Sequence, residues 1–331
     1  MTDESLPSLS VVIPTSRGGA DLERCLASLA AEGYPQLEVV VVDNASPDGT
    51  LAGSADVRIL RNEENRGFAA ASNQGIEGST GELVLLLNDD TELEPGALRA
   101  LVGALGRRPS WGACQAKLLL MDDPRLLDTA GSFLTTTGFL VHRGAYEPEE
   151  RFTSSDEIFA AKGAALLVRR SVIDDVGAFD PDFFAYLEET DLCWRVWLAG
   201  SEVGFAADAR VLHKLGATAS ALPSALVQFH SFKNRICMLV KNLGAARLAW
   251  VLPYHLALCV CLAAWYALRG RVSLALAILR AVGWNVTHLR DTLRKRRRVQ
   301  RRRRVSDRAL MPRILRPTPM RALVGYARRT G

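Results

Sequence analysis

The feature that most restricts what this chain can fold into is a set of short runs that are apolar from end to end. LSVVIPTS (9–16), LEVVVVDNAS (37–46), VRIL (57–60) and ELVLLLNDD (82–90) follow one another within the first hundred positions. A strand with one wet face alternates apolar and polar residues, so runs without alternation indicate parallel strands covered on both faces. The intervening segments supply the covers. In ADLERCLASLAAEG, Leu22, Leu26 and Leu29 fall at helical spacing with Gly33 as the stop, and SNQGIEGST reads as the end of a second helix. The pattern predicts an α/β domain with a mostly parallel, Rossmann-like sheet.

Three of these runs end in polar clusters: Pro14-Thr15-Ser16, Asp43-Asn44-Ala45-Ser46 and Asn88-Asp89-Asp90. In an open parallel sheet, ligands bind where loops leave the carboxyl ends of the strands. The adjacent carboxylates Asp89 and Asp90 repel and are costly to desolvate, unless a cation or a catalytic duty accompanies them. Capping of the helical segment that follows, TELEPGALRAL, is the simpler alternative. No GxGxxG follows the first run and no GxxxxGK[ST] occurs, which disfavours a dinucleotide fingerprint and a P-loop. A nucleotide diphosphate with a hard divalent cation, Mg²⁺ or Mn²⁺, would relieve the repulsion.

Further along, ACQAKLLL and GAALLVRR read as strands, FDPDFFAYLEETDLCWRVWLAG as a loop entering a helix, and EVGFAADARVLHK as one or two strands. In order, LSVVIPTSRGGADLERCLASL, VVVDNASPDGT, NRGFAAASNQGI, VLLLNDDTELEPGAL, the LEETDLCWRVWLAG block and VLHKLGATAS resemble the family 2 glycosyltransferases of GT-A fold, rhamnosyltransferase-like members above all. The resemblance spans about residues 9–240 and implies roles by position. Thr15 and Asp43 stand at the nucleotide base. Asn65, Arg66 and Gly67 match the NxG loop near base and diphosphate. Asp89 and Asp90 match the DxD-type motif, Asp90 as metal ligand and Asp89 nearer the ribose, with Asn88 in the first DxD position. Lys162 and Gly163, with Glu188, fall on the acceptor side. Glu189 is the expected catalytic base, with Asp191 second, although the family usually has Asp where Glu189 stands. His213 resembles a downstream metal or diphosphate ligand. Taken without the resemblance, Glu188, Glu189 and Asp191 are first-turn acids favoured by the helix dipole, and a lone histidine is structural more often than not. Trp194 and Trp197 are expected to pack their helix on the sheet, and Arg195 to partner a carboxylate.

The net charge of +5 is unevenly spread: residues 290–331 carry 16 Lys or Arg against 2 acids, leaving −9 on residues 1–289. LAWVLPYHLALCVCLAAWYAL (248–268) has no charged residue, and VSLALAILRAVGWNVTHL (272–289) carries only Arg280 among Asp, Glu, Lys and Arg before its end. The first is long enough to cross a bilayer. A cytoplasmic nucleotide sugar and the basic stretch KRRRVQRRRR must lie on one side, so a single crossing is excluded by the positive-inside rule. Arg280, Pro253 and His255 favour helices lying in the interface. A soluble helical subdomain, or an interface making a homo-oligomer, is the alternative. The six scattered cysteines without a CxxC pair fit a reducing compartment, and the polar N-terminus is no secretory signal.

The expected organisation is a GT-A catalytic domain over 1–222 (nucleotide-binding half about 1–100, acceptor half about 101–222), a membrane-associated helical region over 223–289 and a basic tail over 290–331. The expected activity is inverting transfer of a sugar from a dTDP- or UDP-sugar, rhamnose first, to a lipid-linked or polysaccharide acceptor. It is placed at the cytoplasmic face of the membrane, with anionic lipid and not nucleic acid as the partner of the tail. A degenerate membrane scaffold or a nucleotidyltransferase are the rivals.

Overall fold

The computed structural model describes residues 6–47, 57–214 and 223–317. In chain order its first half runs β1 (Leu9–Thr15), α1 (Gly19–Ala31), β2 (Leu37–Asn44), β3 (Val57–Asn62), α2 (Phe68–Glu77), β4 (Leu83–Leu87), β5 (Thr91–Leu93) and α3 (Ala97–Arg107). The second half continues β6 (Trp111–Leu120), β7 (Leu127–Thr129), β8 (Ser132–Thr135), β9 (Leu140–His142), β10 (Ala165–Arg169), α4 (Arg170–Val176), α5 (Glu188–Leu198) and β11 (Glu202–His213). The C-terminal part is helical: α6 (Ser224–Asn242), α7 (Ala245–Leu268), α8 (Val272–Thr287), α9 (Leu289–Arg302) and α10 (Asp307–Ile314), closed by β12 (Leu315–Arg316).

The main sheet has the order β3-β2-β1-β4-β10-β6-β11-β5, with β7 alongside β6. Strands β3, β2, β1 and β4 are parallel, as the uninterrupted apolar runs require. Along β1, Val11 and Ile13 enter the core under α1 and α3, while Val12 enters the opposite core with α2 and α5. Both faces are therefore dry, and no position in the run can be polar without a partner. The second half departs from a purely parallel sheet. Strand β10 is antiparallel to both β4 and β6, and β5 to β11. Its residues Ala165–Val168 are buried on both faces, so the composition resembles that of a parallel strand and does not report direction.

The boundary expected at 222/223 is not a break in packing. Cys237, Met238, Leu239 and Leu243 share one core with Trp194, Val196 and Phe183, and so do Leu310, Met311 and Ile314 from the C-terminal stretch. Helix α6 thus shares the core of the preceding α/β part. Trp194 and Trp197 are buried against the sheet as expected, Trp197 Nε1 donating to the carbonyl of Phe159 at 3.0 Å.

The basic stretch 295–304 is not a free tail either. Helix α9 turns 69° away from α8 and lays one face on α6. Arg296 Nη1 donates to the carbonyls of Val240 and Leu243 (both 2.5 Å), Gln300 Nε2 to that of Lys241 (2.9 Å), and Arg303 Nη2 to that of Asn242. The orphan carbonyls of a helix C-terminus attract cationic donors, and α6 is capped by Arg296 and Arg303 with the amide of Gln300 between them. Arg313 pairs with Glu157 and Glu202, and β12 adds to β8 in a small three-stranded sheet. The acidic body and the basic C-terminal stretch are partners of one another. The opposite face of α9 (Arg294, Arg297, Arg298, Arg301 and Arg302) is exposed. The last residues of the tail, 318–331, and most of the loop between β11 and α6 lie outside the described residues.

Candidate active site

The parallel register of β1 with β2 sets Thr15 beside Asp43, and β4 delivers Asn88-Asp89-Asp90 to the same edge. Thr15 Oγ1 donates to Asp89 Oδ2 at 2.5 Å and accepts from the backbone N–H of Gly18 at 2.9 Å. Burial, together with the charge of Asp90, raises the Asp89 carboxyl to about 6 against the hydrogen bond from Thr15. Asp43 is buried, its Oδ1 accepting from the Ser46 N–H at 2.9 Å.

The NxG loop is built by a residue that sequence reasoning placed in a cluster but gave no role. Asn44, buried at the end of β2, donates from Nδ2 to Asn65 Oδ1 (2.9 Å), and its Oδ1 accepts from the Arg66 N–H (3.0 Å) and from Asn62 Nδ2 (3.1 Å). Asn65 Oδ1 in turn receives the Gly67 N–H at 2.9 Å. Gly67 has φ +82°, and a Cβ there would lie 2.5 Å from the carbonyl oxygen of Phe184 and 2.6 Å from its ring. Only glycine permits that approach. The carbonyl of Phe184 also accepts from the Phe68 N–H at 2.7 Å, joining the NxG loop directly to the turn that leads into α5. The Arg66 side chain is exposed.

On the other side of Asp90 the sheet edge carries a polar chain that the sequence pattern did not disclose. His213, at the end of β11, has Nε2 3.4 Å from Asp90 Oδ1 and Nδ1 2.8 Å from Asp128 Oδ2. Asp128, on β7, also receives Lys162 Nζ, at 2.9 Å on Oδ1 and 2.7 Å on Oδ2. Burial pushes the His213 imidazole down, but the bond to Asp128 and the neighbouring Asp90 carboxylate outweigh it and leave it raised. Burial likewise opposes the Asp128 charge, and His213 with Lys162 more than compensates, so its carboxyl is lowered. Asp128 is the residue sequence reasoning missed: nothing in LLDTAG marks it, because its partners are 85 and 34 positions away.

Asp90 is buried and its Oδ1 has no hydrogen-bond partner among the described residues. A buried carboxylate oxygen without a donor, facing an imidazole whose far nitrogen is anchored on a second carboxylate, is the arrangement a divalent cation requires of its protein ligands. These two groups fit a hard divalent cation, which would leave its remaining ligands to phosphate oxygens and water. Among the described residues no group of three or more His, Cys, Asp or Glu side chains converges on one point.

The residues expected on the acceptor side gather at the N-terminus of α5. A Cβ on Gly163 would lie 3.8 Å from Glu189 Cβ, and Lys162 contributes its charge to the Glu189 carboxylate. Burial raises Glu189 to about 7, opposed by backbone N–H groups and by Lys162. Burial and the charge of Glu189 hold Glu188 well above the usual carboxylate range, and its Oε2 has no partner among the described residues. The Lys162 N–H is fixed by Gln115 Oε1 at 2.7 Å.

Asp191 stands apart from this group. It is fully buried, and its Oδ2 receives Arg195 Nε and Lys241 Nζ (3.0 Å each) while Oδ1 receives Asn242 Nδ2 (2.9 Å). Burial would raise its carboxyl, but Lys241 and Arg195 keep it lowered. Both oxygens are held by structural donors and the side chain is fully enclosed, so a substrate hydroxyl has no path to it. Arg195 partners a carboxylate as its sequence predicted.

The profile of "Glycosyl transferase family 2" matches residues 10–177. An N-acetylglucosaminyl-diphospho-decaprenol L-rhamnosyltransferase from Mycobacterium tuberculosis is 31% identical over 279 residues, covering 76% of this chain and 91% of that protein. Among solved structures, GalNAc-T7 with UDP, GalNAc and Mn²⁺ superposes with a TM-score of 0.57 at 16% identity, over 72% of this chain and 48% of the other. A mannosyltransferase from Pyrobaculum calidifontis, in complex with GDP-Man and Mn²⁺, gives 0.51 at 18% identity over 91% and 87%. The sheet order, the edge cluster and these likenesses agree: the chain belongs to glycosyl transferase family 2 and is a nucleotide-sugar glycosyltransferase of GT-A fold.

Proposed function

We propose that this protein transfers L-rhamnose from dTDP-rhamnose, with inversion, to an N-acetylglucosaminyl-diphospho-polyprenol at the cytoplasmic face of the membrane. The observation that carries the chemistry is the position of Glu189, raised to about 7 beside Gly163 and Lys162, the lysine that ends the Asp90–His213–Asp128–Lys162 chain. A carboxylate with that proton affinity accepts a proton readily at neutral pH. Glu189 takes the acceptor hydroxyl proton as that oxygen attacks the anomeric carbon, and the nucleoside diphosphate departs with the electrons of the broken bond. Thr15, Asp43, Asn65, Gly67 and Asp89 form the nucleotide side, and Glu188 lies toward the acceptor. Asp90 and His213 would hold a divalent cation, Mg²⁺ or Mn²⁺, which supplies charge neutralisation to the diphosphate. The choice of rhamnose and of the lipid-linked sugar rests on the name of the M. tuberculosis relative.

Calorimetric titration with dTDP, UDP, GDP and CDP, each with Mn²⁺ or Mg²⁺ and again with EDTA, tests the donor. Metal-dependent binding of dTDP above the others supports the reading. Binding of another nucleotide replaces the donor class, and binding indifferent to EDTA removes the metal.

Helix α7 is long and apolar enough to span a bilayer, yet only 17% of its most apolar window is buried within the protein. Trp250, Tyr254, Val260 and Leu268 on α7, with Leu276 and Leu279 on α8, are exposed large apolar side chains. Apolar exposure on this scale, flanked by the outward arginines of α9, suits an interface between acyl chains and anionic headgroups. Sedimentation with phosphatidylcholine vesicles, with and without phosphatidylglycerol, checks this. We expect stronger binding to the anionic vesicles, weakened by salt and by Arg297→Glu with Arg298→Glu. No binding to either kind of vesicle would refute membrane association.

A further inference from the structure

Glu188 and Glu189 follow a turn whose own residues disfavour its backbone. Tyr186 (φ 73°) and Leu187 (φ 69°) are consecutive non-glycine residues in the left-handed region. Large L side chains rarely adopt it, and such conformations persist only where the surroundings over-determine them. Here the surroundings are side chains of α6 and α9. Asn234, wholly buried on α6, spends both amide hydrogens on the strained segment, Nδ2 donating to the carbonyls of Ala185 at 2.9 Å and Tyr186 at 2.7 Å. Its Oδ1 has no partner among the described residues, so the amide is retained for its donors. Lys233 Nζ donates to the carbonyl of Asp182 at 2.5 Å, and Lys241 Nζ to Asp180 Oδ2 at 2.6 Å. From α9, Lys295 Nζ reaches Asp180 Oδ1 and Asp182 Oδ2, the latter at 2.5 Å.

We propose that Asn234 and Lys295 are positioning residues that hold the 180–187 turn so that Glu189 faces the donor side of the site. This rests on the reading of Glu189 as the base. Both residues lie beyond the stretch 10–177 matched by the family profile. Lys295 belongs to the helix whose outer arginines face the membrane in that reading, so an element at the membrane also anchors the catalytic turn. The turn is gripped from two sides: by the NxG loop through Phe184 and by the C-terminal helices through Asp180, Asp182, Ala185 and Tyr186.

The test uses the full chain and three variants: Asn234→Asp, isosteric but lacking the donor, Lys295→Met and Lys295→Arg. Backbone hydrogen exchange over residues 183–191 is expected to accelerate in Asn234→Asp and Lys295→Met while β1 and α1 stay protected. Transfer from dTDP-rhamnose to synthetic N-acetylglucosaminyl-diphospho-polyprenol is expected to lose up to about 100-fold in kcat, the scale of a misplacement near 1 Å, with dTDP affinity unchanged. Lys295→Arg keeps both charges paired and is expected to restore most of the rate. Unchanged exchange over 183–191 in Lys295→Met, at a partly exposed position, overturns the inference. So does a loss confined to donor affinity. If instead Glu189→Gln remains active, the assignment of the base fails, and the exchange data still decide whether the turn is held from α6 and α9.

Discussion

Glu189→Gln is expected to lower kcat by about 10²–10⁴-fold, the range that general acid–base groups contribute, while dTDP binding is kept. In the native protein, log kcat should rise with pH through about 7 and level off above it, because the base works only when ionised and burial has raised it to that value. The same substitution should stabilise the fold, and the direction with pH follows from linkage. The folded-state affinity for the proton is raised above that of an unfolded glutamate, so the native protein is penalised wherever the carboxylate is ionised in both states. At pH 8 that penalty is complete; at pH 6 the folded protein has taken up the proton and escaped much of it. Gln carries no charge at either pH. Thermal unfolding should therefore show a higher Tm for Glu189→Gln at pH 8, by roughly 2–4 °C if about 1 kcal/mol is recovered, and a smaller gain at pH 6. A variant with full transfer activity would remove Glu189 from the chemistry, and a Tm that fell at pH 8 would contradict the desolvated carboxylate.

Asp90→Ala should abolish the metal dependence of nucleotide binding. The orphaned Asp90 Oδ1 is a buried carboxylate oxygen at the sheet edge, 3.4 Å from His213 Nε2. A metal-bound diphosphate stabilised by several kcal/mol corresponds to a loss of roughly 10²–10⁴-fold in kcat/KM when the ligand is removed. Asp128→Asn tests the support behind it. That change keeps the shape but weakens the hold on His213 Nδ1 and on Lys162, and should cost about 10–100-fold in metal affinity, as loss of an outer-sphere carboxylate does. Titration of Mn²⁺ against dTDP-saturated protein reads both effects. Asp90→Ala with EDTA-sensitive binding equal to the native protein would sink the assignment, and an Asp128→Asn variant indistinguishable from native would show that His213 is oriented by something else.

The nucleotide-binding half was legible because its signals are local. Val11, Val12 and Ile13 are apolar since both faces of β1 are covered, and Thr15, Asp43 and Asp90 are polar since they stand where the covers end. The loop NRG could be placed for the same reason, although the need for glycine at Gly67 became clear only when Phe184 arrived against it from 117 positions away. The family likeness also settled the enzyme class against a nucleotidyltransferase. The acceptor half was harder to read. The direction of β10 depends on the route of the chain and not on its composition, and both oxygens of Asp191 were claimed by Lys241, Arg195 and Asn242, two of them some fifty residues distant.

The C-terminal part marks the division most sharply. By itself the sequence determined that 248–268 is an uncharged helix with an apolar surface to hide, and that a strongly basic segment follows an acidic body. Periodicity and charge are properties of neighbouring residues, and they survive without a fold. Which arginines are free was decided only by tertiary structure. Arg296 and Arg303 close the open carbonyls of α6, Lys295 meets Asp180 and Asp182, and Arg297 and Arg298 are left to solvent. A charge acquires a partner when long-range packing desolvates an opposite charge or a helix end beside it, and no window along the chain contains that information.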